Sequence, residues 1–203
     1  MGRRSDHTSE ELRALVLQKT RALLDQVPAS ELSLRKIAKQ VGYAPSTLIA
    51  LFQNYNSLLL EVNGQTLDEI YLRSSHQLDT SLAPDQVLLA LAYLYHDYAM
   101  DNPHQWELVF DHKMPVGEVV PETHQARMAA HFESIERQLQ RIHADLAAIE
   151  INTTARTIWA CVHGITVLSV KNKLFVADQL NGRSLIESFL VNFLRSWGDS
   201  HSR

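Results

Sequence analysis

The chain is poor in turn-forming residues, with seven glycines and six prolines in 203 residues. That is too few for an architecture of many short strands. Its one cysteine, Cys161, excludes an internal disulfide and a cysteine-based zinc site, and suits a reducing compartment. No apolar run approaches the ~18 residues of a membrane span. The opening Met1-Gly2-Arg3-Arg4-Ser5-Asp6-His7 lacks the apolar segment of a signal peptide, so the expected location is cytoplasmic. Catalytic signatures are also missing. There is no Gly-rich phosphate loop, no Gly-x-Ser-x-Gly elbow and no acid–base pair, and Cys161 and His163 point apart on helical spacing. The ten histidines contain no His-x3-His or His-Glu-x-x-His pair. Neither an enzyme nor a metal or other cofactor is expected.

What the chain does have is a 45% hydrophobic composition, enough for a sizeable core. Its charge is unevenly spread. Net charge is −4, yet residues 1–60 hold eight Lys and Arg against five Asp and Glu, a net +3 that leaves −7 for the remainder. The positive portion contains the most informative stretch, Ser33 to Phe52. Ser33 is placed to cap a helix in which Leu34, Ile37, Ala38 and Val41 form one apolar stripe. Gly42 supplies a left-handed stop, and Pro45 suits the first turn of a second helix. Leu48 and Phe52 face back to the first stripe. Pro45, Ser46, Thr47, Ile49 and Ala50 face outward, and most are small enough to enter a groove. This is the pattern of a helix-turn-helix, whose second helix meets DNA base edges. Arg35, Lys36, the Thr47 hydroxyl, Tyr55 and Lys39 are the candidate phosphate contacts. Ser33 and Tyr43 complete the candidate interface, and Ile49 has the apolar surface to meet a thymine methyl.

The remaining pattern is helical throughout. Residues 1–7 read as a solvated arm bearing Arg3 and Arg4. Thr8 and Glu11 have capping-box spacing, and Leu12, Leu15, Val16, Leu23 and Val27 follow on one face, with Pro28 beyond the end. Asn54 or Asn56 caps a long fourth helix reaching about Asp79. Pro84 opens a fifth, which Asp101-Asn102-Pro103 closes, and a short helix with Trp106 and Phe110 follows. Residues 111–121 read as an irregular loop. A long helix is expected from Glu122 to about Ala148, another capped by Asn152 or Thr153, and a last one after Gly182. The expected fold is all-α with about nine helices. Residues 1–55 form a three-helix DNA-binding domain and 56–203 a helical domain for ligand binding and dimerisation. A pocket is expected among the helices of residues 85–170. Tyr93, His96, Trp106, Phe110, Phe132, Trp159 and His163 are its candidate lining.

Leu32-Ser33-Leu34-Arg35-Lys36-Ile37-Ala38, Val41-Gly42, Ser46-Thr47-Leu48 and Phe52, followed by Leu58-Leu59-Leu60, resemble the TetR/AcrR family of tetracycline-repressor-like regulators. Trp159-Ala160-Cys161-Val162-His163-Gly164 is similar to the Trp-His-Gly signature of one subgroup of effector domains. The resemblance implies a homodimer paired through its last two helices, reading a palindromic operator on double-stranded DNA. It also implies repression relieved by a small-molecule effector. Ile158, Ile165, Leu168, Leu185, Phe189 and Phe193 are the apolar residues offered to that pairing. The chain departs from the family where Ala44 replaces a capping serine, Ile49 a tyrosine, Leu51 a histidine and Tyr55 a lysine. Those changes keep open a helical adaptor with a degenerate helix-turn-helix. His124 and His131 on one helix, with His96 and His163, keep open a metal-responsive regulator.

Overall fold

The structure is a computed structural model that describes residues 7–79, 81–175 and 180–201, with side chains through residue 197. The arginine-bearing arm, apart from His7, therefore lies outside the described residues. Among the described residues every regular element is helical: α1 (Ser9–Leu24), α2 (Leu34–Val41), α3 (Pro45–Phe52), α4 (Tyr55–Gln77), α5 (Pro84–Asp101), α6 (Pro103–Asp111), α7 (Glu122–Ile142), α8 (Ala148–Val170) and α9 (Gly182–His201). One short 3-10 turn, Ala29–Glu31, separates α1 from α2. The chain divides into two compact units. One comprises the chain through Leu67 with His104–Val120; the other comprises Asp68–Pro103 with everything from Pro121 onward.

In the first unit the sequence signals act as read. Thr8 and Glu11 form a reciprocal capping box on α1, in which the Glu11 carboxylate accepts the Thr8 N–H at 2.7 Å. Asn54 accepts the Ser57 N–H at 2.8 Å and so starts α4. Leu12, Val16, Ile37, Leu48, Phe52, Leu58 and Val62 form one buried cluster from α1 to α4. Each such side chain contributes about 1.5–3 kcal/mol by leaving water. Leu108 of α6 joins this cluster, and polar contacts fasten α6 beside it. His104 Nδ1 meets the Leu24 carbonyl at 2.9 Å, and Gln105 donates to Asp25 at 2.6 Å while accepting from Arg21. The compact units therefore divide along a different line from the 55/56 boundary.

In the second unit α5 packs against α7, α8 and α9, α7 packs against α8, and α8 against α9. Leu88, Ala92, Leu139, Ile151, Ala155, Ile158, Val162, Ile186 and Leu190 form its core. Two boundaries differ from the expected ones. Helix α7 stops at Ile142 rather than near Ala148, and α8 starts at Ala148, ahead of Asn152 and Thr153. The start of α8 is fixed by Glu150, whose carboxylate accepts the Ala147 N–H at 3.2 Å. Asn152 is left free to donate across to Glu136 of α7 at 3.1 Å, and Thr153 bonds back to the Ile149 carbonyl at 2.8 Å.

Candidate nucleic-acid interface

The turn between α2 and α3 is built by three local devices. The Ser33 hydroxyl accepts the Lys36 N–H at 3.2 Å, relieving one orphan donor of α2. Gly42 takes φ +83°, the left-handed region that other residues enter at a cost. Its N–H and that of Tyr43 both reach the Ala38 carbonyl, at 2.9 and 3.0 Å. Ala44 is the extended residue before Pro45 and gives α3 no side-chain cap. Pro45 brings no N–H to the first turn of α3, and the Thr47 N–H reaches the Ala44 carbonyl at 3.0 Å.

Only two side chains of α3 are buried, Leu48 and Phe52, and they fix its roll. Pro45, Ser46, Ile49 and Ala50 are exposed and Thr47 is half-buried. The solvent face of α3 is thus small and largely uncharged, the shape a groove admits. Arg35, Lys36 and Lys39 of α2 are exposed, and Lys36 has Glu31 at a loose 3.8 Å. The other candidates sit deeper. Ser33 is half-buried and used as a cap. Tyr43 packs on the core with its hydroxyl 2.9 Å from His7 Nδ1, which anchors the start of the described chain at the turn. Tyr55 also packs on the core, and burial pushes its phenol above the ordinary tyrosine range.

The aromatic candidates separate into three groups. Trp159 and His163, one turn apart on α8, stack with ring centroids 5.1 Å apart. Phe132 of α7 meets Trp159 edge-on at 5.7 Å, and the Arg156 guanidinium lies 4.4 Å above the Phe132 ring. Tyr95 of α5, absent from the candidate lining, joins this group through a 2.7 Å hydrogen bond between its hydroxyl and His163 Nδ1. Burial holds the His163 imidazole below its usual range, so it is neutral at pH 7. Tyr93 and His96 face α9 instead. The Tyr93 hydroxyl donates to Glu187 at 3.1 Å beneath Arg183, and His96 lies against Gly182. Trp106 and Phe110, 5.1 Å apart, belong to the first unit. Among the described residues no group of three or more His, Cys, Asp or Glu is placed to hold a metal ion. No helix there is long and apolar enough to cross a membrane.

Comparison with known proteins places these features in a family. No curated protein matches the sequence. Among solved structures, a protein of unknown function from Rhodococcus sp. RHA1 superimposes with TM-score 0.75 at 18% identity, over 96% of this chain and 98% of that one. A TetR transcriptional regulator from the same organism gives 0.65 at 13% identity, over 92% and 98%. The regulator RolR, solved with resorcinol, gives 0.66 at 12% identity, over 91% and 88%. Likeness at such identities establishes the fold. Residues 88–190, just over half of the chain, match the family described as tetracyclin repressor-like, C-terminal domain. The chain belongs to this TetR family of DNA-binding transcriptional regulators, which are not enzymes.

Proposed function

We propose that the protein is a homodimeric repressor that leaves an inverted-repeat operator when a small-molecule effector binds. Residues 1–55 act as the DNA reader, and 56–203 hold the effector and the dimer contact. The observation that carries this reading is the outward face of α3. Ser46, Ile49 and Ala50 stand exposed beside Arg35, Lys36 and Lys39, with Leu48 and Phe52 sealed beneath. Pro45, Ser46, Thr47, Ile49 and Ala50 meet the major groove. Arg35, Lys36 and the cap formed by Ser33 hold the flanking phosphates, and Tyr43 and Tyr55 support the turn from its edge.

For the dimer, α8 and α9 carry exposed Leu168 and Val191 among small outward residues, Ala160, Gly164 and Ser188. Ile158 is core, and Ile165, Phe189 and Phe193 pack on that core, so the contact draws on fewer large side chains than the sequence offers. For the effector, the Phe132–Trp159–His163 group with Tyr95 is the favoured lining. It coincides with Trp159 to Gly164, the segment similar to the Trp-His-Gly signature, and that likeness is our reason for assigning the chain to that subgroup. RolR binds resorcinol, a small phenol; a planar aromatic effector suits stacked rings beside a neutral imidazole. Tyr93, His96, Trp106 and Phe110 are the outer candidates. The protein works in the cytoplasm.

Selection of bound fragments from random duplex DNA tests the reading. The expected product is an inverted repeat with half-sites about 34 Å apart or a multiple of that spacing. Affinity for it falls steeply as salt rises. Light scattering at micromolar concentration is expected to give twice the 23.0 kDa of one chain. Recovery of no common sequence, or salt-insensitive binding, refutes the reader; a 23.0 kDa species refutes the dimer.

A further inference from the structure

The recognition helix is only eight residues long, has no side-chain cap at its N-terminus, and buries two side chains. A helix that short is marginal in water and depends on tertiary contacts for its pose. Its last-turn carbonyls need donors, and one of those donors comes from an unexpected place. Arg13 of α1 donates from Nη2 to the Leu51 carbonyl at 3.1 Å. Its other terminal nitrogen, Nη1, meets Glu61 of α4 at 2.6 Å. Its guanidinium carbon lies 4.6 Å over the ring of Phe52, the residue that ends α3. One planar group thus touches the carbonyl end of α3, the last side chain of α3 and a carboxylate of α4.

We propose that Arg13 is a positioning residue for DNA recognition, bracing the C-terminal end of α3 so that Ser46, Thr47, Ile49 and Ala50 reach base edges in a fixed register. The inference rests on α3 being the DNA reader. Arg13 suits the task for three reasons. A cation at a helix C-terminus is favoured by the helix dipole. The rigid guanidinium fork serves two acceptors at once, which an ammonium does not do with the same geometry. Glu61 neutralises it, so it holds the helix without competing for phosphate. Arg13 is therefore separate in kind from Arg35, Lys36 and Lys39, whose charges face solvent.

The test compares Arg13→Gln, Arg13→Lys and Glu61→Gln in the full chain. The readouts are amide hydrogen exchange along α3 and binding to the selected duplex and to a scrambled duplex over a salt series. In Arg13→Gln, exchange at Leu48 to Phe52 is expected to quicken about tenfold, and affinity for the selected duplex to fall about tenfold. Affinity for the scrambled duplex and the slope of log affinity against log salt stay unchanged. Arg13→Lys recovers part of the loss. Glu61→Gln, which leaves the Leu51 bond in place, gives a smaller change in the same direction and serves if Arg13→Gln does not fold. Unchanged exchange in α3 overturns the proposal. So does a salt slope lower by about one with both duplexes weakened equally, since Arg13 would then be touching phosphate itself. Quickened exchange in a protein with no sequence-selective binding refutes α3 as the reader, and Arg13's part in recognition with it, leaving only a brace within the fold.

Discussion

Replacing Ser46 with glutamate removes operator binding by at least about 100-fold while the folded protein melts at the same temperature or slightly higher. The two effects have opposite signs because they arise on opposite sides of one helix turn. Ser46 is the second residue of α3 and is exposed, and the first turn holds no acidic residue and no side-chain cap. A carboxylate there meets the positive end of the helix dipole, which stabilises by about 0.3–1 kcal/mol. Facing DNA, the same carboxylate enters the most negative surface it can meet. Like charges brought together in an interface cost several kcal/mol, and about 2.7 kcal/mol already corresponds to 100-fold. In a two-fold dimer the charge is present twice. Fluorescence anisotropy on the selected duplex and a thermal melt, run together, check both signs. Ser46→Ala, which removes only a hydroxyl, is expected to weaken binding by less than about tenfold. Retained binding in Ser46→Glu would remove α3 from the interface. A collapsed melting temperature would show that Ser46 serves the fold instead.

The helix-turn-helix was legible because its signals are local. Ser33, Gly42 and Pro45 each act on backbone groups within four residues, and Leu48 and Phe52 sit one turn apart, so spacing alone specifies the turn and the buried face. The start of α8 reads differently, partly through a partner on another helix and partly through a rival cap close by. Asn152 and Thr153 look like caps, yet the Asn152 amide belongs to Glu136 on the neighbouring helix. The cap on α8 comes from Glu150 reaching back to a residue, Ala147, whose own side chain offers nothing. Helix α6 follows α5 directly, and its His104 and Gln105 bond to Leu24 and Asp25, some 80 residues earlier, a partnership no local pattern announces. Arg13 carries no local signal of its contacts. Nothing in one sequence marks that it reaches Leu51 and Glu61.

Gly182→Ala is expected to destabilise the second unit by about 2 kcal/mol, through space alone. Gly182 opens α9, and its φ lies outside the left-handed region, so alanine has no backbone objection. The neighbours have. A Cβ built there falls 2.2 Å from His96 Nε2 and 2.3 Å from Ser169 Oγ, well inside any real contact. Ser169 can turn away by giving up its 2.9 Å bond to the Ile165 carbonyl. His96 is 6% exposed and hemmed in, so the start of α9 must retreat instead. Retreat lifts Ile186 and Leu190, both fully buried one and two turns along, from the core, and strains the 3.0 Å pair of Arg183 with Asp97. The gain in helix propensity from alanine is small at a first helical position and does not offset this. For a chain of this size the loss lowers the melting temperature by about 4–8 °C. The double-mutant cycle identifies the cause. His96→Ala alone opens a cavity and destabilises, but in the Gly182→Ala background it frees the space the new methyl needs. The two changes together should cost less than their sum by at least about 1 kcal/mol. Strict additivity would mean that α9 does not rest on His96. Because α9 is also half of the proposed dimer contact, Gly182→Ala should raise the dimer dissociation constant, and His96→Ala should lower it again in the double variant. A dimer indifferent to both changes would place the subunit contact away from the first turns of α9.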